Sequence, residues 1–176
     1  AIHQSNEKDE RKIRDKALVL IGFSGGFRRS ELVDIEYEDL EFVSEGVKIF
    51  VKRSKTDQSG EGMTKAIPYF DNEKFCPVIA LKNWIEIFDL KKSRIFNISD
   101  KSVALIIKKY ASYAGLDSHR YAGHSLRSGF ATSTAESGAE ERNIMAMTGH
   151  KSTEMVRRYI KEANLFKNNA LNSIKI

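Results

Sequence analysis

The residue types best suited to chemistry lie between positions 124 and 159. His124 and Arg127 are three residues apart, His150 follows Gly149, and Tyr159 comes nine residues after His150. Arginine binds two phosphate oxygens at once, histidine exchanges protons near neutral pH, and tyrosine supplies an oxygen nucleophile. Together these side chains suit work on a phosphodiester.

Helices must position this set. A spacing of three residues would place His124 and Arg127 on one helical face. Gly149 tolerates the left-handed backbone of a helix end and Ser152 is a natural N-cap, so His150 is predicted at a helix junction. Tyr159 would lie on the apolar face of the next helix, where a single tyrosine is usually only a core residue. The ordered set, rather than any one member, therefore indicates chemistry.

The set resembles the His-x-x-Arg, Gly-His and Tyr boxes of the tyrosine recombinase, or phage integrase, family. Residues 26–32 (Gly-Phe-Arg-Arg-Ser-Glu-Leu) are similar to its first arginine box, and residues 54–57 (Ser-Lys-Thr-Asp) resemble its lysine-bearing hairpin. Matching segments run in the family's order from about residue 13 to about residue 161. The six site residues that the resemblance implies are Arg28, Lys55, His124, Arg127, His150 and Tyr159.

Two of these assignments rest on the resemblance alone. Charge does not separate Arg28 from its neighbour Arg29, and the family alignment selects Arg28 and leaves Arg29 on the surface. Without the resemblance, Lys55 would pass for an ordinary solubilising charge on a hairpin. The competing cations are Lys52, Arg53 and Lys65.

The resemblance implies a reaction in which Tyr159 attacks a DNA phosphate and forms a 3′-phosphotyrosyl intermediate. Two arginines, Arg28 and Arg127, would bind the non-bridging oxygens and offset their charge. His124 is the favoured base for the phenol, whose reference pKa is about 10, and the division of roles between the two histidines stays open.

His150 would donate a hydrogen bond to a non-bridging oxygen, and Lys55 would protonate the departing 5′ oxygen. The bond energy stays in the covalent link, so neither ATP nor a metal is expected as a cofactor. The resemblance implies double-stranded DNA as the partner, bound in a salt-sensitive way, and self-association into a tetrameric synapse on the DNA.

The chain is expected to be a single catalytic domain, residues 1–176. Family members usually carry an N-terminal core-binding domain, and nothing before residue 10 could be one. Residues 162–176 are predicted to form a C-terminal helix that could contact a neighbouring protomer. Two departures from the family pattern, Thr148 before Gly-His and Ser128 after the second arginine, look tolerable.

Periodicity predicts a mainly α fold with a small antiparallel three-stranded sheet. Helical patterns run from residue 10 to about 23, 30 to 35, 77 to 88, 100 to 115, 124 to 136 and 139 to 147, and continue through the Tyr159 helix. Alternation over residues 47–51 and near 64–67 predicts a hairpin, with a third short strand near 40–42. The resemblance implies that this architecture is the α+β fold of the tyrosine recombinase catalytic domain.

Bulk composition is that of a soluble globular protein, with 176 residues, 41% hydrophobic and 30% charged. No apolar run approaches the roughly 18 residues that span a bilayer, so a cytoplasmic, prokaryotic, DNA-associated protein is expected. Cys76 is the only cysteine, which excludes an internal disulfide. The net charge of +5 is uneven, since residues 101–176 hold 12 Lys/Arg against 6 Asp/Glu, which would attract a polyanion.

Two other functions would use the same residues. A type IB topoisomerase shares the phosphotyrosyl chemistry but relaxes DNA, and the short layout favours a recombinase over it. A non-catalytic DNA-binding or regulatory domain could retain the scaffold. A domain without catalytic activity would have little reason to keep all six residues, which favours the enzyme.

Overall fold

The chain folds into seven α-helices and one three-stranded sheet within the residues described by the computed structural model: 9–52, 61–150 and 152–163, with Ile2 and Ile174. The helices are α1 (Asp9–Ser24), α2 (Arg29–Val33), α3 (Pro77–Ile87), α4 (Asp100–Tyr113), α5 (Ser125–Glu136), α6 (Glu141–Thr148) and α7 (Thr153–Ala163). The strands are β1 (Leu40–Val43), β2 (Gly46–Val51) and β3 (Met63–Pro68). The predicted mainly helical fold with a small sheet is confirmed.

The sheet is antiparallel in the order β1-β2-β3. Leu40 pairs with Ile49 across β1 and β2, and Ile49 pairs with Lys65 across β2 and β3. The predicted alternation holds in β2, because Val47, Ile49 and Val51 are buried whereas Phe50 is exposed. The loop between β2 and β3, with Lys55 in it, lies outside the described residues.

Helix α1 runs through the main core. Its apolar side chains Ala17, Leu18 and Ile21 are fully buried and belong to one large hydrophobic cluster with α2, the sheet, α3 and α4. Asp15 is also fully buried and accepts hydrogen bonds from Tyr110 Oη at 2.9 Å and Lys109 Nζ at 3.1 Å. A buried carboxylate is tolerated only with such partners, so this network ties α1 to α4.

Helices α3 and α4 begin where the sequence predicts. Pro77 occupies the first turn of α3, where its missing N–H leaves no helical bond unmade. Ser99 caps α4 by accepting from the Ser102 backbone N–H at 3.1 Å. Trp84 packs against the main core and donates from Nε1 to the Ile95 carbonyl at 2.8 Å.

A second, smaller hydrophobic cluster holds the end of the described chain. Its buried members are Ala131, Ala135, Ile144 and Val156, contributed by α5, α6 and α7. Tyr159 and Ile160 pack against it from α7 and are partly buried. The predicted C-terminal helix over 162–176 lies outside the described residues, apart from Ile174 and the last two residues of α7. No helix in the described part of the chain is long and apolar enough to cross a bilayer.

Candidate active site

The turn between α1 and α2 is the base of the candidate site. Gly26 has a φ of +55°, the left-handed region that favours glycine. A Cβ atom there would lie 3.0 Å from Phe130 and 3.1 Å from Thr148. The turn is therefore closely packed, and its Gly25 and Gly26 carbonyls receive hydrogen bonds from two buried cations that lie far away in the sequence.

Lys65, on β3, is the first of these cations. Its side chain is fully buried, its Nζ donates to the Gly25 carbonyl at 2.8 Å, and it lies 4.3 Å from the centre of the Phe27 ring. Burial and the nearby Arg127 and Arg28 charges lower the pKa of Lys65 to about 8, against the opposing effect of Glu31. Lys65 is the described lysine that the fold brings to this turn, whereas Lys55 lies outside the described residues.

Arg127, on α5, is the second cation. Its side chain is 5% exposed, and its Nη1 donates to the Gly26 carbonyl at 3.0 Å. Its Nη2 is buried and has no hydrogen-bond partner among the described residues. Burial and the Arg28 charge lower its pKa to about 10, so the guanidinium stays charged at neutral pH. A buried, charged donor without a partner is costly unless a ligand completes it.

Arg28 lies at the start of α2, where it is the N-cap residue. Its Nη1 donates to Glu31 Oε1 at 2.5 Å, and its backbone N–H donates to Glu31 Oε2 at 3.0 Å. Burial alone would raise the pKa of Glu31, but the Lys65 charge and the Arg28 hydrogen bonds outweigh it and lower that pKa. Glu31 is therefore an anion that holds Arg28 in place.

His150 follows the left-handed Gly149, which ends α6 with a φ of +64°, so the predicted helix junction is confirmed. Its Nδ1 lies 2.8 Å from the hydroxyl of Thr148. Burial and the charges of Arg127, Arg28 and Lys65 lower its pKa to about 4, with Glu31 opposing. The ring is therefore neutral at physiological pH and lies within the field of both arginines.

Tyr159 lies on α7, which packs against α5, the helix that carries Arg127. Its negative charge when ionised would raise the pKa of Arg127, which places the phenol in the electrostatic neighbourhood of that guanidinium. The side chain is partly exposed. The phenol is thus partly accessible to a ligand and interacts electrostatically with Arg127.

His124 is more exposed than the other described site residues. It is the N-cap residue of α5 and its side chain is exposed. Its backbone carbonyl accepts from the N–H and the hydroxyl of Ser128, both at 2.9 Å. No described hydrogen bond or ion pair joins its ring to Arg127, one turn along the helix. Electrostatic interactions thus connect Arg28, Arg127, His150 and Tyr159, whereas the side chain of His124 is exposed to solvent.

Glu31, Lys65 and Thr148 are parts of the site whose roles the sequence did not indicate. Glu31 contacts Arg28 three positions away, Thr148 contacts His150 two positions away, and Lys65 contacts a turn 40 positions away. The periodicity of the sequence does not reveal these contacts. The one available hint was the alternation of β3, which places Lys65 on the same buried face as Ile67. A lysine there needs a partner, because lysine is almost never fully buried without one. Among the described residues, no group of three or more His, Cys, Asp or Glu side chains could hold a metal ion.

The fold and the site define a class of protein. The phage integrase family model matches residues 1–165, and the chain belongs to this family. The chain is 51% identical over 179 aligned positions to an integrase/recombinase XerD homolog of Selenomonas ruminantium, covering 93% of this chain and 52% of the relative. It is 30% identical over 160 positions to tyrosine recombinase XerC of Syntrophus aciditrophicus, covering 84% and 48%.

A solved structure shows the same fold. The XerH site-specific recombinase bound to its difH substrate superposes with a TM-score of 0.73 at 19% identity, over 95% of this chain and 49% of that one. The chain thus spans about half the length of the relatives it matches.

Proposed function

We propose that this chain is the catalytic domain of a site-specific tyrosine recombinase that cleaves and rejoins double-stranded DNA. The observation that carries the proposal is the buried Nη2 of Arg127, which has no hydrogen-bond partner among the described residues and interacts with the Arg28 charge and the neutral ring of His150. A guanidinium with one donor left unpaired matches a phosphate oxygen in charge and geometry. The named activities of the relatives support the same reading.

In the proposed first step, the Tyr159 oxygen attacks the phosphorus while the bond from phosphorus to the 5′ oxygen breaks. The phenol loses its proton to a base, for which His124 is the candidate, and the leaving 5′ oxygen gains one, for which Lys55 is the candidate. Arg28 and Arg127 offset the charge that grows on the non-bridging oxygens. The product is a 3′-phosphotyrosyl link and a free 5′ hydroxyl.

Rejoining reverses these steps with a second strand. Its 5′ hydroxyl attacks the phosphotyrosyl phosphorus, and the phenol leaves and regains a proton. Exchange between two duplexes requires several protomers, so the proposal includes self-association on DNA and a further, core-binding domain of the kind that the family carries. Residues beyond 161 are the candidate for the protomer contact.

Covalent trapping tests the proposal. The protein is incubated with a pool of nicked duplexes whose central sequence is randomised, so that cleavage releases a short fragment and rejoining is blocked. We expect a complex that survives denaturant and retains the 5′-end label of the cleaved strand, as a 3′ link requires. Binding of the same pool without any covalent complex would favour the non-catalytic DNA-binding domain instead.

A further inference from the structure

The contacts of Thr148 determine which nitrogen of His150 carries the proton. Thr148 is the last residue of α6 and is fully buried. Its Oγ1 lies 2.6 Å from the Ile144 carbonyl oxygen and 2.8 Å from His150 Nδ1. Both distances are those of hydrogen bonds, so one hydroxyl serves two partners.

Only one arrangement of protons satisfies both contacts. A hydroxyl has one proton to donate, and a carbonyl oxygen can only accept. The Thr148 proton must therefore point to Ile144, which leaves a lone pair of Oγ1 facing the imidazole. His150 Nδ1 has to donate into that lone pair, and so it carries the ring proton.

We propose that Thr148 is a positioning residue that fixes His150 in the Nδ1-protonated tautomer, so that Nε2 is the nitrogen available to the DNA phosphate. This inference rests on the proposed function and assigns the state of one of its groups. The tautomer that a histidine adopts is set by the partner of its other nitrogen, and here that partner is held rigidly by a helix end.

The tautomer has a chemical consequence. In the neutral ring Nε2 carries a lone pair, and a non-bridging phosphate oxygen also only accepts, so the two cannot bond directly. His150 donates to the phosphate only after it gains a proton at Nε2. The charged groups that face it are the cations Arg127, Arg28 and Lys65 and the anion Glu31. The cations oppose that proton in the free protein, and the negative charge of the phosphate offsets them.

Nuclear magnetic resonance of the free protein tests the assignment directly. In a sample with ¹⁵N-labelled histidine, long-range correlations distinguish the protonated ring nitrogen from the bare one, and the His150 signals are identified by their loss in His150→Gln. We expect Nδ1 to be protonated in the wild type near neutral pH and in Thr148→Ser, which keeps the hydroxyl. Thr148→Val, which keeps the shape and loses the hydroxyl, should shift the ring toward the other tautomer.

A control and a kinetic readout complete the test. Thr134 makes the same kind of contact on α5, from Oγ1 to the Phe130 carbonyl at 2.7 Å, with no histidine beside it, so Thr134→Val should leave the His150 signals unchanged. Single-turnover cleavage should slow roughly 10- to 100-fold in Thr148→Val, as for outer partners of other functional histidines, with an altered pH profile. Thr148→Ser should restore both.

The outcomes separate the two proposals. An Nε2-protonated wild type, or a Thr148→Val spectrum identical to that of the wild type, overturns the tautomer assignment even if DNA is cleaved. An Nδ1-protonated wild type that shifts in Thr148→Val upholds it. Failure to trap any covalent DNA complex overturns the proposed function and leaves the tautomer result standing.

Discussion

Glu31 and Lys65 form a buried ion pair beneath the Gly25–Gly26 turn, with Glu31 Oε2 and Lys65 Nζ 3.7 Å apart. Glu31 also binds Arg28, and Lys65 supports the carbonyl next to the one that receives Arg127. The ion pair therefore links the residue that binds Arg28 to the turn that binds Arg127. Neither Glu31 nor Lys65 lies in the sequence motifs that contain Arg127 and Tyr159.

Lys65→Met should reduce both stability and DNA cleavage. It removes one of the two cations that pair with the buried Glu31 carboxylate. Breaking a buried ion pair typically costs about 3–5 kcal/mol, and Arg28 remains to offset part of that cost. In Lys65→Met/Glu31→Gln both charges are gone, so the free energy of unfolding should recover in part, whereas cleavage should stay low because Arg28 has lost its anchor. Urea denaturation and single-turnover cleavage measure the two effects.

Lys48→Met is the matched control for this pair. Lys48 is a half-exposed lysine on the neighbouring strand, and its Nζ lies 3.1 Å from Glu41. Exposed pairs of this kind contribute about 0–1 kcal/mol. Recovery of full cleavage in the double variant would contradict the connection between Lys65 and the arginines.

Tyr159→Phe should abolish the covalent complex with nicked DNA. The substitution removes the one oxygen that can attack phosphorus and keeps the ring that packs against the small cluster. Stability should change little, because the hydroxyl has no described partner that the fold depends on. Denaturing electrophoresis of the labelled substrate gives the result, and Tyr113→Phe, at an exposed tyrosine on α4, is the control. A complex that persists in Tyr159→Phe would exclude this tyrosine as the nucleophile.

Arg127→Ala should reduce cleavage by roughly 10²- to 10³-fold, the usual effect of removing one donor to a charged transition state. Much of the nonspecific DNA affinity should remain, because many other cations contribute to phosphate binding. Gel-shift and cleavage assays on one substrate separate the two quantities. Arg142→Ala, at an arginine whose side chain is 81% exposed, should alter neither. Equal loss of binding and cleavage in Arg127→Ala would favour a DNA-binding module.

Acidification below about pH 6.5 should destabilise the native protein through His150. The pKa of His150 is lowered from 6.5 to about 4 by burial and by the neighbouring cations. Between these pH values the unfolded chain binds a proton that the native chain does not, so the free energy of unfolding falls as the pH falls; above 6.5 the group contributes nothing. Because the ring is only partly buried and solvent screens it, we expect a loss of about 1 kcal/mol.

Denaturation curves at several pH values compare wild type with His150→Gln. The variant should lack this part of the pH dependence, and His119→Gln, at an exposed histidine in a short 3-10 helix, should retain it. Identical pH dependence in wild type and His150→Gln would show that the native state does not disfavour the charged ring.

The sequence predicted the elements well because local signals determine them. Pro77 at a helix start, Gly149 at a helix end and the alternation of Val47, Ile49 and Val51 each act within a few residues. The bounds of the helices and strands agree with the predicted ones to within a few residues. The family resemblance added the order of the boxes and selected Arg28 over Arg29.

The site's supports could not be predicted in the same way. The hydrogen bond from Lys65 to Gly25 joins residues 40 positions apart, and that from Arg127 to Gly26 joins residues 101 apart. Neither contact leaves a periodic trace in the chain. From the sequence, Lys65 was only one of the alternatives to Lys55 for the site lysine. The burial of its side chain depends on how β3 packs against the turn after α1, which the sequence does not show.

The proposed nucleophile and the proposed phosphate-binding arginine Arg28 are held in place by different hydrophobic clusters. Arg28 and its supports adjoin the large core, whereas α7 is held by a small cluster and an exposed pair between Arg157 and Glu141. Segments with few buried apolar contacts open at a lower free energy than the whole domain does. We therefore expect α7, and Tyr159 with it, to open at a lower free energy than the turn that holds Arg28.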